Sequence, residues 1–203
     1  MSSNGWQVNQ SDREVSPGII EGCRQGDRTA FHALYQTYKD KVYSISLYFF
    51  HGDDMAASDA TQQVFLKLLT GIAQFRGGSE FSTWLYRMVV NTCLDSAKTG
   101  RRRASRTDDG ALERIAAPES AEEDLARAEV AGKVQAALSS LPPKLRLPVL
   151  LRYFEDLSYG EMAEALNCSM GTVASRLHQS HKLLAEKLKK LRGATAGPLS
   201  GQK

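Results

Sequence analysis

Apolar residues recur at steps of three and four along the first half of the chain, the spacing that puts them on one face of an α-helix. The segments that show this spacing are 31–45, 64–72 and 81–92. No proline falls between Pro17 and Pro118, and Gly77-Gly78 separates the second segment from the third. The pattern therefore predicts an all-helical first module over residues 18–103.

Polar side chains at the segment starts indicate where these helices begin. Asp59, followed by Gln62 three residues later, resembles an N-cap pair, and Ser79 can cap the third helix. The residues predicted to be buried are Val64, Phe65, Leu68, Leu69 and Ile72 in the second helix and Phe81, Trp84, Leu85, Met88 and Thr92 in the third.

Helical spacing returns in the second half, over residues 130–141, and stops at two consecutive prolines. Pro143 suits the first position of the next helix, where a backbone N–H is not needed. Pro148 lies further inside that segment and lacks a donor, so it predicts a kink or a late helix start.

A short helix, a tight turn and a long helix are predicted next. Ser158 and Glu161 form a capping box, residues 167–169 form a turn, and Ser169 caps the long helix. Because the second helix is basic and follows a turn of a few residues, the segment is typical of a helix-turn-helix that reads a DNA major groove. The apolar side of the long helix comprises Val173, Leu177, Leu184, Leu188 and Leu191.

The distribution of charge adds information on domain organisation. The net charge of +3 combines two basic segments with one acidic segment. Residues 76–106 and 176–203 are strongly basic, whereas residues 107–124 hold seven acidic side chains and one basic one. Two basic modules joined by an acidic segment suggest two polyanion-binding units. The fold class predicted is all-α, as two small helical domains joined by a flexible acidic linker.

Composition excludes other classes of protein. An apolar content of 42% can bury cores of this size, and no segment is long or apolar enough to span a bilayer or act as a secretory signal. The chain is expected in the cytoplasm, with no direct membrane insertion. Three widely spaced cysteines indicate reduced, buried thiols. Neither a metal site, a cofactor motif nor an enzyme motif is found, and His178 with His181 lacks further nearby ligands.

Two series of motifs resemble a known family. The first comprises residues 59–67, 75–77 and 81–87, followed by Asn91 and the arginine cluster, and it is similar to region 2 of bacterial sigma factors of the extracytoplasmic-function (ECF) type. The second comprises residues 140–142, 151–153, 157–163 and 171–177, and it looks like region 4 of that family. The boundaries expected are 1–17 for a disordered N-terminus, 18–103 for region 2, 104–124 for the linker, 125–192 for region 4 and 193–203 for a disordered tail.

The resemblance implies a sigma factor that binds core RNA polymerase, recognises minus-35 and minus-ten promoter elements, assists melting and starts transcription of a signal-responsive set of genes. It further implies an anti-sigma factor partner, which can hold the protein at the inner face of the membrane, and neither a cofactor nor a small-molecule substrate. A linker of this length allows both a compact and an extended arrangement of the two regions. The compact one is expected to bury the promoter-binding faces, and the extended one to reach two promoter elements.

The resemblance also assigns site residues. Core polymerase is expected to bind Asp59, Gln62, Gln63, Phe65, Leu66 and Lys67. The minus-ten element is expected to contact Phe75, Arg76, Gly77, Gly78, Ser79, Phe81, Arg87, Asn91, Arg101, Arg102 and Arg103. The minus-35 element is expected to contact Tyr159, Thr172, Ala174, Ser175, Arg176, His178, Gln179 and Lys182.

The sequence departs from the family at three of these positions. Gln63 stands where relatives often have glutamate, and Ala174 and Gln179 stand where relatives are often basic. Because arginine pairs with guanine and glutamine with adenine, a minus-35 preference with less guanine is predicted.

Three other readings stay open at the level of sequence. One is a helix-turn-helix regulator that acts without polymerase core, and another is a sigma-like scaffold that has diverged. The third is an enzyme, which no motif supports.

Overall fold

The computed structural model describes residues 15–104 and 122–195, with side chains described for 15–99 and 130–189. Within these ranges the chain is helical and contains no strand, which confirms the all-α prediction. The α-helices are α1 (Pro17–Arg24), α2 (Arg28–Phe49), α3 (Asp54–Gly71), α4 (Phe81–Ala104), α5 (Glu122–Ser139), α6 (Pro143–Phe154), α7 (Tyr159–Ala165) and α8 (Met170–Thr195).

Helices α2 and α3 form a hairpin whose turn sets the start of α3. His51 and Gly52 adopt left-handed backbone conformations, with φ of 65° and 88°. The Asp53 side chain then caps α3 by accepting the Ala56 N–H at 2.9 Å. The prediction that Asp59 caps this helix is therefore wrong, because Asp53 already accepts a donor of the first turn.

The core of the first module follows the predicted periodicity closely. Leu34, Tyr38, Val42 and Ile45 of α2 are fully buried, and they face the apolar sides of α3 and α4. Leu69 is the exception, since it was expected in the core and is 54% exposed. It lies at the edge of the α3 apolar stripe, where the spacing pattern cannot separate the last buried position from the first exposed one.

Helix α6 tolerates a proline in its second turn. It begins at Pro143, as predicted for a first helical position, and continues past Pro148 to Phe154. A late helix start is therefore wrong. Pro148 cannot donate to the carbonyl of Lys144, and because Lys144 is exposed that carbonyl can bond water instead.

The three cysteines are free thiols in two kinds of environment. Cys23 and Cys93 are buried, and burial raises the pKa of both, that of Cys93 to about 12. Cys168 is only half-buried, unlike the expectation, and its Sγ lies 3.8 Å from the Arg176 guanidinium. The two buried thiols therefore stay protonated and unreactive at neutral pH.

The two helical modules pack against each other, with α6 and α5 against α2 and α7 against α4. Arg146 of α6 lies at this junction and is only 2% exposed. Inside its own module, its Nε donates to the Leu138 carbonyl at 2.9 Å and its Nη2 to the carbonyls of Ser139 and Leu141 at 2.9 and 2.7 Å. Leu138 and Ser139 end α5, and Leu141 lies in the turn that follows, so the cation stabilises the negative end of that helix.

The same guanidinium also reaches the first module. Its Nη1 donates to the Phe49 carbonyl, at the last residue of α2, and lies 3.2 Å from the His51 Nε2. Partial burial and the nearby Arg146 charge lower the pKa of His51. His51 is therefore held neutral, so that its Nε2 can accept a hydrogen bond from the Arg146 Nη1–H.

A pH dependence follows from this contact. Because the folded-state pKa of His51 is depressed, its contribution to stability is present above the ordinary pKa of 6.5 and is lost as pH falls towards the folded value. We expect the Tm of the native chain to fall more between about pH 7.5 and about pH 5.5 than the Tm of His51→Asn. Asparagine tolerates the left-handed backbone and does not titrate, and equal pH slopes in the two proteins would contradict the assignment.

Candidate nucleic-acid and partner interfaces

The outer face of α3 presents most of the residues predicted to bind a partner. Asp59, Gln62, Gln63 and Lys67 are exposed, and Leu66 is 57% exposed. Acidic, amide and apolar groups thus share one face.

Two of the predicted α3 residues are engaged inside the module. Phe65 is only 6% exposed and packs edge-on against the Tyr35 ring, with centroids 4.7 Å apart. The Lys67 Nζ donates to the Thr92 hydroxyl of α4 at 2.9 Å. Phe65 therefore shapes this surface from beneath, and Lys67 is positioned by α4.

Sequence reasoning included Leu66 but missed the other exposed apolar residues of this surface. Leu69 and Leu66 stand three residues apart on α3 and, with Tyr35 and Phe31 of α2, line a cleft of about 660 Å³. The signal was available, because Leu66 recurs three residues before Leu69 on the side of the helix away from the core. An exposed apolar cleft rimmed by polar residues marks a protein interaction site.

The loop before α4 folds an aromatic cluster inwards. Phe75 and Phe81 are 8% and 4% exposed, and their ring centroids lie 5.4 Å apart at right angles. Trp84 packs against both rings and is half-buried, as its spacing predicted. In this conformation the two phenylalanine rings are covered by protein, so an unstacked base cannot lie flat on either.

The exposed part of the loop carries the groups that remain available to a nucleotide. Arg76, Gly77 and Gly78 are exposed, and Gly77 adopts a left-handed φ of 72°. Together with α1, the loop borders a cleft of about 450 Å³ that includes Ser79 and Glu21. The participation of α1 was not predicted, because its sequence carries no motif.

Two polar residues lie on the outer face of α4. Arg87 and Asn91 are exposed and stand four residues apart, one turn along the same side. Lys98 forms an ion pair with Asp95 at 3.2 Å. Arg101, Arg102 and Arg103 lie within α4, but their side chains are outside the described residues.

A helix-turn-helix is formed by α7 and α8, and its start is capped as predicted. The Ser158 N–H donates to Glu161 Oε2 at 2.7 Å, and the Glu161 N–H donates back to Ser158 Oγ at 3.2 Å. Ser169 Oγ accepts the Thr172 N–H at 3.2 Å at the start of α8, and Asn167 makes the turn with a φ of 49°.

The outer side of α8 presents a polar face. The residues exposed there are Ala174, Ser175, His178, Gln179 and Lys182. Thr172 and Arg176 flank them and are half-buried, and Tyr159 at the start of α7 is 44% exposed. Two of the eight predicted residues are engaged within the module: the Thr172 hydroxyl lies 2.9 Å from Ser169 Oγ, and the Arg176 guanidinium lies 3.8 Å from Cys168 Sγ.

One contact beside this face was not predicted. The Tyr153 hydroxyl of α6 lies 3.0 Å from the His181 Nε2, with the ring centroids 5.9 Å apart. His181 therefore has an aromatic partner. Among the described residues, no group of three or more His, Cys, Asp or Glu side chains is arranged to hold a metal ion.

Comparison with known proteins agrees with this geometry. Residues 34–103 match the family Sigma-70 region 2, and residues 131–184 match Sigma-70, region 4. The chain is 33% identical over 190 residues to the RNA polymerase sigma-H factor of Pseudomonas aeruginosa, which covers 88% of this chain and 96% of that protein. The chain belongs to the ECF sigma factors of the sigma-70 family.

Further relatives of this sigma factor also cover most of its length. The ECF RNA polymerase sigma-E factor of Escherichia coli K12 is 34% identical over 193 residues, covering 89% of this chain and 98% of that protein. Two solved structures share the fold. CnrH, in complex with the cytosolic domain of CnrY, gives a TM-score of 0.65 at 20% identity over 85% of this chain and 96% of that one. RpoE of Bartonella quintana, in complex with the anti-sigma factor NepR, gives 0.66 at 21% identity over 78% and 96%.

Proposed function

We propose that this sigma factor directs core RNA polymerase to promoters by three separate surfaces: the α3 face with its apolar cleft, the loop and outer edge of α4, and the outer side of α8. The membership of the chain in the ECF sigma factors carries the function. The assignment of surfaces is supported by their exposure and chemistry. Residues 18–103 and 125–192 are the two modules of this proposal.

The α3 face suits a protein partner. Its apolar centre of Leu66 and Leu69 supplies area to bury, while the amides of Gln62 and Gln63 around it can form hydrogen bonds. The absence of a carboxylate at position 63 removes one charge-assisted contact to a basic partner. Core polymerase is the partner proposed for this face.

The α4 and α8 surfaces suit DNA, and each uses a different chemistry. Exposed Arg87 and Asn91 can contact a phosphate and a base edge of a separated strand. The polar side of α8 fits a major groove, with Gln179 able to pair with adenine. Promoter recognition followed by melting requires that one element is bound as duplex DNA and the other as a single strand. In this proposal α8 binds the duplex and α4 binds the single strand.

The remaining expectations concern partners and chemistry. RpoE of Bartonella quintana is described in complex with the anti-sigma factor NepR, and we infer that an anti-sigma factor also controls this chain. No described helix is long and apolar enough to cross a bilayer, and membrane attachment through the anti-sigma factor is an inference from the family alone. We assign the chain no catalytic activity of its own, which is what its family implies.

The polymerase surface is tested by Leu66→Asp, assayed by co-elution with purified core polymerase. A charge in the centre of the apolar cleft is expected to weaken binding by tenfold or more, because a central interface contact contributes about 2 kcal/mol. Met55→Asp is the matched control, since Met55 lies on the same helix, is 77% exposed and stands outside the cleft. Circular dichroism checks that both variants are folded, and equal binding by both would contradict the assignment.

Run-off transcription tests both DNA surfaces at once. With core polymerase and the promoter upstream of its own gene, the native chain is expected to initiate, and Asn91→Ala and Arg176→Ala are each expected to reduce the transcript by about tenfold. Gln36→Ala removes an exposed amide from α2, far along the sequence from either DNA surface, and should transcribe normally. If Asn91→Ala and Arg176→Ala both bind core polymerase and both give the native amount of transcript, these two residues are not part of the DNA surfaces.

The base preference of α8 is tested by selection on randomised minus-35 DNA. The native chain is expected to return an element with less guanine than Gln179→Arg, because arginine donates two hydrogen bonds to guanine whereas glutamine matches adenine. The two proteins differ only at position 179. A guanine-led element selected by the native chain would overturn the prediction.

A further inference from the structure

Helix α8 has two flanks beside its polar front, which comprises Ser175, His178, Gln179 and Lys182. Arg176 lies on the first flank. With 3.6 residues per turn, His181 stands about 100° around the helix from Lys182, on the side away from Arg176. Ala174 is on this second flank too, and its methyl group cannot form a hydrogen bond. The second flank therefore lacks a polar contact in the function proposed above.

His181 is paired with a tyrosine of another helix. The Tyr153 hydroxyl of α6 lies 3.0 Å from the His181 Nε2, and the two rings meet edge to face with their centroids 5.9 Å apart. Tyr153 is 64% exposed, and His181 is exposed as well. Within the described part of the chain, His181 makes no other polar contact. The tyrosine thus holds the imidazole in one orientation at the protein surface and leaves its Nδ1 available.

One hydrogen-bond donor of this pair is not used by the bond between the two rings, whichever tautomer the histidine adopts. If the Tyr153 hydroxyl donates to Nε2, the proton of the neutral imidazole is on Nδ1, which can donate to a ligand. If Nε2 donates to the tyrosine oxygen instead, the tyrosine O–H is left to donate. In both cases the pair offers a donor to an acceptor such as a phosphate oxygen.

The charges near the pair suit an anion. Lys182 follows His181 directly and adds a positive charge beside it. Asp156 comes three residues after Tyr153, and its carboxylate lies 3.6 Å from the Arg152 Nη1, which balances its charge. An anion that approaches the pair therefore meets one cation and a neutralised carboxylate.

A helix in a DNA major groove has phosphates on both sides. An α-helix with its side chains is about 10–12 Å wide, and the groove is about 12 Å wide. The front of the helix faces the base edges, so a side chain about 100° away from the front faces a wall of the groove instead. The position of His181 on α8 therefore indicates a backbone phosphate, and not a base, as its ligand.

The pair is accessible although the two modules pack together. Arg87, Asn91 and the polar front of α8 are exposed in this compact arrangement, as are Tyr153 and His181. The expectation that a compact arrangement buries the promoter-binding faces is therefore wrong for these residues. Packing of the modules covers other sides of α4 and of region 4.

We propose that Tyr153 and His181 form a phosphate-binding pair that holds one backbone phosphate of the duplex bound by α8. The pair rests on the proposed function, because it requires α8 to lie in the major groove. Tyr153 is a positioning residue, since it orients the imidazole that contacts the phosphate. The pair supplies a polar contact on the flank where Ala174 stands in place of the basic side chain that relatives often carry. Because a phosphate contact carries no sequence information, it adds affinity without changing the bases selected.

The experiment combines a change in the protein with a change in the DNA. Holoenzyme is assembled from the full chain and purified core polymerase, and its affinity is measured for duplexes that carry the minus-35 element returned by the randomised selection. Single phosphates are replaced in turn by neutral methylphosphonate. At one phosphate, the replacement is expected to weaken binding of the native holoenzyme by about fivefold, because a hydrogen bond to a charged group is lost, and to have almost no effect on His181→Ala. This difference measures the coupling between the side chain and that phosphate.

Three further variants test the role of each residue. Tyr153→Phe keeps the ring and removes only the hydroxyl, so it should weaken the coupling by releasing the imidazole. His181→Arg places a cation at the same position and should raise the cost of replacing the same phosphate, because a guanidinium binds phosphate directly. His32→Ala is the matched control: it also removes an exposed histidine with a side-chain partner, the Gln36 amide at 3.5 Å, but from α2. It should keep the native pattern.

Equal methylphosphonate patterns in the native chain and His181→Ala would overturn the proposal, as would a change in the bases that His181→Ala selects. Loss of co-elution with core polymerase in Tyr153→Phe would assign the pair to a protein partner and overturn it too. Because the replacement alters only the DNA, coupling at one position identifies the duplex backbone, and not free phosphate, as the ligand. Normal duplex binding without coupling leaves the proposed function standing, whereas a native holoenzyme that binds no duplex counts against the proposed function itself.

Discussion

The buried guanidinium of Arg146 joins three parts of the chain: the end of α5, the turn that follows it and the end of α2. Within the part of the chain that the structure describes, none of its hydrogen-bond partners is a carboxylate, and four backbone carbonyls with the His51 ring satisfy it instead. Burial lowers its pKa to about 10, which still leaves it charged at neutral pH. Because a buried cation without these acceptors would be very costly, the turn between α5 and α6 and the end of α2 must converge on one point. The arrangement of the two modules follows from that convergence.

A second constraint is that single helices serve several purposes on different sides. Helix α4 packs on its own module through one side, buries Tyr86 and Val90 on another and presents Arg87 and Asn91 on the third. Helix α8 likewise buries Val173 and Leu177 while its opposite side stays polar. With 3.6 residues per turn, adjacent positions face different surroundings, so neighbouring substitutions should have unlike consequences. Stability and DNA recognition are therefore separable within one helix.

The sequence predicted the features that local rules control. Helical spacing and prolines located the helices, and the Ser158 capping box needed only residues three apart. It did not reveal that Phe75 and Phe81 close on each other, because that contact depends on how the loop folds back on α1 and α4. It also placed Leu69 in the core. Whether a residue at the edge of an apolar stripe is buried depends on what packs beside it, and the spacing of apolar residues carries no information about that neighbour.

The contacts between the modules could not be predicted from local sequence rules either, because they join residues that are far apart in the chain. Tyr86 and Glu155 are 69 residues apart, and neither lies in a motif that names the other. Their burial looks like ordinary core packing until the direction of each side chain is known. The resemblance to two family regions made these contacts harder to predict, because it favoured treating each region as an independent domain.

The uncharged side chains at positions 63, 174 and 179 determine which kinds of contact the proposed surfaces can make. On α3, the exposed apolar area of Leu66 and Leu69 and the hydrogen bonds of the Gln62 and Gln63 amides would supply the binding free energy. Contacts of this kind are less sensitive to salt than ion pairs between exposed groups. On α8, the amide of Gln179 would make the base contact in place of a cation, which favours adenine over guanine at the position it reads. In the proposed assignment, therefore, neither surface depends mainly on charge at these three positions.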